Sequence, residues 1–192
     1  MEKIILASNS PRRKEILTNV GVEFSVMGSD IEEVVRVGEK PESVVMALAF
    51  EKAVDIASRV DDNSIIIAAD TIVYKDSILG KPVDDQDAFK MLKSLSASSH
   101  EVYTGFTILR ANTNLKITEY VKTKVVFKDL DDDTIDKYIK TKEPIGKAGA
   151  YAIQGYGSTL IDSIEGDYFN VVGLPISRLS EVLKKNFDFA IL

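Results

Sequence analysis

Two arginines stand where a helix start disfavours them. The stretch ASNSPRRKEIL (Ala7–Leu17) predicts a helix, with Ser10 as a good N-cap, Pro11 at the first helical position and Gly21 as a C-terminal stop. That puts Arg12 and Arg13 in the first turn. Helix starts have unpaired N–H groups and a partial positive charge, which favour acidic side chains or bound anions over cations. A phosphate at this turn would resolve the conflict, held by backbone N–H groups, the hydroxyls of Ser8 and Ser10 and two guanidiniums. Solvated surface charge is the other reading of the pair, because a Ser-rich turn with arginines is a weak motif by itself.

Lys52 is the next residue that asks for a reason. Val45, Leu48, Ala49 and Ile56 form one apolar helix face, and Lys52 falls inside that stripe. Either its stem snorkels past the core, or its ammonium reaches a phosphate as a point charge. Asp70 ends the apolar run IIIAA, which lacks alternation, as in a central strand covered on both faces. A carboxylate at the C-terminal end of such a strand lies where open α/β sheets bind ligands, and could hold a divalent metal or orient a water. Helix capping is the alternative, although the following TIVYK looks like more strand. Glu32 and Glu33 could bring another carboxylate to the same rim, and taken alone they read as a surface turn.

Lys81 lies in a constrained GKP turn, and EPIGKAGAYAIQG (Glu143–Gly155) is a glycine-punctuated loop. Its glycines permit close approach to a ligand, or merely tight packing. Neither stretch is a Walker A loop or a G-x-G-x-x-G fingerprint. His100 is the only histidine, which precludes a confident Ser-His-Asp triad or His-rich metal site and suggests a loop or hydrogen-bonding role.

The elements that must position these residues alternate between strand-like and helix-like segments, which argues for an α/β or α+β fold. Strands are expected at Lys3–Ser8, Glu23–Ser29 and Ser64–Asp70, and a hairpin arm over Thr71–Val83 turning near Asp76-Ser77. A long hairpin over Glu101–Phe127 turns around Asn112-Thr113-Asn114. Helices are expected at Pro41–Val60, from Asp84, from Asp131 and from Pro175, with two strand-like runs before the last. A second lobe is expected around residues 71–145.

With 192 residues, 45% of them hydrophobic, the chain can build one domain or two small lobes around a substantial core. The absence of cysteine excludes disulfides, thiolate catalysis and Cys-based zinc sites. No run reaches transmembrane length and the N-terminal apolar segment is short for a signal peptide, so a cytoplasmic protein is expected. A net charge of −6 disfavours bulk binding to nucleic acid. A small polyanion would need a local cationic pocket, helped by a divalent metal.

In order along the chain, LASNSPRR (Leu6–Arg13), Glu33, Lys52 in EKA, AADTIV (Ala68–Val73), GKP, HEVYTG (His100–Gly105), EPIGKAGAYAIQG and NVVGLP (Asn170–Pro175) resemble the Maf family of nucleoside triphosphate pyrophosphatases. The matching stretches span nearly the whole chain. The resemblance implies a single domain over residues 1–192, with a mixed twisted sheet flanked by helices and two lobes around a central cleft. The fold would be related to that of the inosine triphosphate pyrophosphatases. It also implies a homodimer, as in many members, dependence on Mg²⁺ or Mn²⁺, and hydrolysis of a nucleoside triphosphate to monophosphate and pyrophosphate. The charge balance and the lack of a spanning apolar run lead to the expectation of no nucleic-acid or membrane partner.

Asp70-Thr71 and Gln154 resemble the subfamily that prefers dTTP and UTP, where relatives acting on 7-methyl-GTP tend to carry Asp-Gln and Glu. The resemblance thus makes Arg13, Thr71 and Gln154 specificity residues. A glutamine amide offers both donor and acceptor to a pyrimidine edge. Arg12 and Arg13 would clamp the triphosphate, Lys52 and Lys81 would add charge, and Ser8 and Ser10 would hydrogen-bond it. Asp70 would be the general base, with Glu33 and Asp70 holding the metal. Two other classes stay open: a nucleotide-binding regulator of septum formation with little turnover, and a single-stranded nucleic-acid binder, which the acidic balance disfavours.

Overall fold

The computed structural model describes residues 2–33 and 38–192. Among them the strand order is β2-β1-β3-β5-β6-β7, with β4 paired to β3. β1 (Ile4–Leu6) lies parallel to both β2 (Ser25–Val26) and β3 (Ile65–Lys75). Parallel neighbours need crossovers. Helices α1 (Pro11–Asn19) and α2 (Pro41–Ala57) lie in the two connections. β3 then turns at Asp76, in left-handed backbone (φ 58°), into the antiparallel β4 (Ser77–Leu79). β5 (Ser99–Arg110) and β6 (Lys116–Phe127) form the long hairpin, with Asn112 at φ 56° in its turn. β7 (Ile161–Glu165) adds antiparallel to β6, making the sheet mixed.

Helices α3 (Asp85–Leu95) and α4 (Asp132–Lys140) start where aspartate caps them: Asp84 accepts from Asp87 N–H and Asp131 from Thr134 N–H. The expected second strand-like run near the C-terminus is instead helix α5 (Tyr168–Val172), followed by α6 (Ile176–Phe187). The cause is local. Asp167 Oδ1 accepts the N–H groups of Phe169 at 2.7 Å and Asn170 at 3.3 Å, which starts a helical turn. α2 ends at Ala57, three residues short of the expected Val60, and the second strand shrinks to two residues. No helix among the described residues is long and apolar enough to cross a membrane.

The chain divides into two compact units. The first takes the residues up to Asp70, Thr104–Val121 and Gly173–Leu192, and the second takes Thr71–Tyr103 and Lys122–Val172. The expected lobe boundary at 71–145 is therefore revised. The distal half of the β5–β6 hairpin belongs to the first unit because Leu109 and Ala111 pack with Ile5, Ala53, Ile56, Ile66 and Ala68. In that unit β1 is completely buried, as is the apolar run of β3, in accord with strands covered on both faces. Gly105 lets α2 approach β5: a Cβ on it would stand 2.3 Å from the Val45 carbonyl oxygen. Lys52 lies two helical turns beyond Val45 on the same face, so this close contact also sets where the lysine points.

In the second unit His100 lies on β5 rather than in a loop. Its Nε2 pairs with the Tyr151 hydroxyl at 2.7 Å, its ring packs edge-on against Phe127, and its Nδ1 is buried with no hydrogen-bond partner. Burial, with a smaller contribution from Lys75, lowers the imidazole pKa from 6.5 to about 4. Between those values the unfolded chain binds a proton that the native state refuses, so stability should fall as pH falls through that window. Urea titrations at pH 7 and pH 4.5 should differ by about 2 kcal/mol more in wild type than in His100→Gln. Parallel pH dependence in the two proteins would mean that the native imidazole charges freely.

Candidate active site

The first unit brings one ammonium and two carboxylates together. α2 presents Lys52, β3 presents Asp70, and Glu33 lies in the segment after β2. Lys52 Nζ donates to Asp70 Oδ1 and to Glu33 Oε1, each at 2.6 Å. The side chains of Lys52 and Asp70 are each 11% exposed, against 42% for Glu33. Lys52 does not snorkel to water: its head is held by two carboxylates. Asp70 is the sixth residue of an eleven-residue strand, which corrects its expected place at a strand end. Helix capping is thereby removed as its role, because β3 continues through Lys75. Of the two neighbouring glutamates, Glu33 is the one that pairs with Lys52.

The same unit contains the serine–arginine turn. Ser10 caps α1, its Oγ accepting Arg13 N–H at 3.5 Å. Ser8 is buried, and its Oγ accepts both Ser10 N–H and Arg13 Nη1–H, each at 3.2 Å. Both contacts use acceptor positions of the Ser8 hydroxyl, so neither occupies its one donor. Arg13 Nε donates to the Gly173 carbonyl at 2.8 Å. Arg13 is half-buried and fixed by protein oxygens, which excludes simple surface solvation. Burial lowers its pKa from the usual arginine value, Asp70 and Glu33 oppose that shift, and the neighbouring Arg12 reinforces it. Two guanidiniums crowded at a helix start, facing carboxylates, form a site of high local charge.

Thr71, Lys81 and Gln154 belong to the second unit. Thr71 follows Asp70 on β3 and is half-buried, while Lys81 is exposed just after Gly80. The Gly80 carbonyl accepts Gly149 N–H at 3.0 Å, which ties the GKP turn to the glycine loop. Gln154 is half-buried and immediately precedes the 3-10 turn Gly155–Leu160. Reading the sequence missed two residues that hold this loop, Glu143 and Tyr138. The available signal was a glutamate preceding proline at the head of the glycine-punctuated stretch.

Residues 3–186 match the sequence profile described as Maf-like protein. The chain belongs to the Maf family. Over their full lengths it is 49% identical to the dTTP/UTP pyrophosphatase of Alkaliphilus metalliredigens. With 99% of its length it matches the whole dTTP/UTP pyrophosphatase of Thermoanaerobacter sp. at 50% identity. Among solved structures, a HAM1 protein from Coxiella burnetii aligns with a TM-score of 0.58 at 16% identity, covering 96% of this chain and all of that one. That likeness speaks to the fold alone: a mixed α/β sheet with helices.

In this Maf chain the acidic pair suits a divalent cation. Glu33 and Asp70 both touch Lys52 Nζ, so those oxygens lie no further apart than twice 2.6 Å. Mg²⁺ is commonly bound through one or two carboxylates together with substrate phosphates. Among the described residues no group of three or more His, Asp or Glu side chains is placed to hold a metal ion by itself.

Proposed function

We propose that this Maf protein hydrolyses dTTP and UTP to the nucleoside monophosphate and pyrophosphate. The observation that carries this reading is the buried Asp70 carboxylate fixed by Lys52 in the same unit as the Ser8–Arg13 turn. The names of the full-length relatives support the choice of substrate. Arg12, Arg13 and Lys81 bind phosphate oxygens, and Ser8 and Ser10 add hydroxyl contacts. Lys52 engages Oδ1 of Asp70 and fixes the plane of the carboxylate. Oδ2 then takes a proton from the water that attacks the α-phosphorus, in line with the departing pyrophosphate. Mg²⁺ or Mn²⁺ held by Glu33 and Asp70 would supply neutralising charge to the triphosphate. Thr71, Gln154 and Arg13 discriminate the base. The assembly proposed with this chemistry is a homodimer, and the location is the cytoplasm, where nucleoside triphosphates are used.

Pyrophosphate release from dTTP, UTP, CTP, GTP, ATP and 7-methyl-GTP, with Mg²⁺ or Mn²⁺, tests the reading. The kcat/KM for dTTP and UTP should exceed that for the other nucleotides by about 100-fold or more, as expected of a site that hydrogen-bonds its base. Release of inorganic phosphate in place of pyrophosphate would remove the α-phosphorus assignment. Turnover confined to 7-methyl-GTP would remove the roles of Thr71 and Gln154. Tight nucleotide binding without release would favour a regulator of septum formation.

A further inference from the structure

Gln154 occupies the N-cap position of the turn Gly155–Leu160 in extended backbone (φ −87°, ψ 163°), yet its side chain makes no capping bond. An N-cap side chain normally accepts from the N–H groups two or three residues on. Here those donors are Tyr156 and Gly157, and both turn to Glu143. Tyr156 N–H donates to Oε2 at 3.0 Å and Gly157 N–H to Oε1 at 2.8 Å. Oε1 also accepts the Tyr138 O–H at 3.0 Å, and the Tyr138 oxygen accepts Ala152 N–H at 3.2 Å. The segment around Gln154 is thus anchored on both sides through one carboxylate and the tyrosine it holds. Gly155 makes room for the arrangement. Its φ is +68°, and a Cβ there would stand 2.4 Å from Glu143 Oε2.

We propose that Glu143 is the positioning residue for base selection. It caps the turn in place of Gln154 and so leaves the glutamine amide for the nucleotide. The inference rests on the reading of Gln154 as a specificity residue. An amide discriminates donors from acceptors only when its backbone and rotamer are held within a fraction of an ångström. Without the carboxylate, the Tyr156 and Gly157 N–H groups need another acceptor, and the Gln154 side-chain oxygen is the nearest along the chain able to serve. Discrimination would then be lost while the phosphate chemistry, which uses other residues, persists.

The test compares wild type, Glu143→Gln, Glu143→Asp, Gln154→Ala and the Glu143→Gln/Gln154→Ala double variant on dTTP, UTP and CTP, with circular dichroism and Tm to check folding. Glu143→Gln keeps the volume but loses the charge and one acceptor oxygen. It should raise KM for dTTP and UTP about tenfold, with kcat changed by less than about threefold. The preference over CTP should shrink by a similar factor. Glu143→Asp, with its carboxylate on a shorter stem, should fall between the two and serves as the informative variant if Glu143→Gln fails to fold. In the Gln154→Ala background Glu143→Gln should add little further loss of preference, because both changes remove one function.

Equal slowing of all three nucleotides by Glu143→Gln, or an additive loss of preference in the double variant, overturns the positioning role alone. An unchanged preference in Gln154→Ala overturns the specificity reading and the inference with it.

Discussion

Asp70→Asn should hold dTTP and UTP about as well as wild type while its kcat falls by about 10³-fold, the contribution typical of a positioned general base. The substitution is nearly isosteric and leaves an oxygen to accept from Lys52, so the 2.6 Å contact to Nζ can persist. What disappears is the ability to accept a proton from water. Binding should not suffer, because the change also removes a negative charge from a site that takes a polyanion. The paired measurements are kcat from pyrophosphate release and Kd from isothermal titration. Loss of binding together with turnover would sink the base assignment. A metal titration separates the second role proposed for the same side chain: recovery of kcat at high Mg²⁺ or Mn²⁺ would make Asp70 chiefly a metal ligand.

Lys52→Met should destabilise the fold as well as slow the reaction. The ammonium is the partner of a carboxylate that is only 11% exposed, and methionine would leave that charge without its donor. Breaking a buried pair on one side costs about 3 kcal/mol, more than the pair contributes when both partners are replaced. For a chain of this size that corresponds to a fall in Tm of about 10 °C. In the Asp70→Asn background the same change should cost about 2 kcal/mol less, because the only carboxylate then left beside the methionine is Glu33, whose side chain is 42% exposed and can turn to water. Equal effects in the two backgrounds would show that Lys52 stabilises through its stem in the apolar face of α2. A higher Tm in Lys52→Met would instead mean that the lysine is kept for chemistry at the expense of stability.

Much of this was legible in local chemistry. Ser10 with Pro11, Asp84 and Asp131 announce their helices because a cap acts on the next few N–H groups, and Asn112 announces the hairpin because the turn needs left-handed backbone. Lys52 in the stripe of Val45, Leu48 and Ile56 is a helical-period argument, and the structure buries it on that face. The full-length Maf pattern likewise depends only on residue types in order. Other features needed contacts that no local signal encodes. Glu32 and Glu33 are chemically equal in the sequence, and the choice of Glu33 is made by the lysine nineteen residues on. Asp70 looked like a strand end because the apolar run stops there, yet β3 continues for five more residues on ladder bonds that do not depend on side-chain type.

The capping of the Gln154 turn is the clearest division. From local sequence the N-cap residue should satisfy its own turn, and only the packed structure shows Glu143 doing so from eleven residues away. The sequence by itself determined the family, most of the elements and the inventory of charged groups, since those follow from backbone preference, hydrophobic period and residue identity. Tertiary structure decided which charge meets which and which side chain is spared for a ligand, because those outcomes depend on separations through space that chain order leaves open.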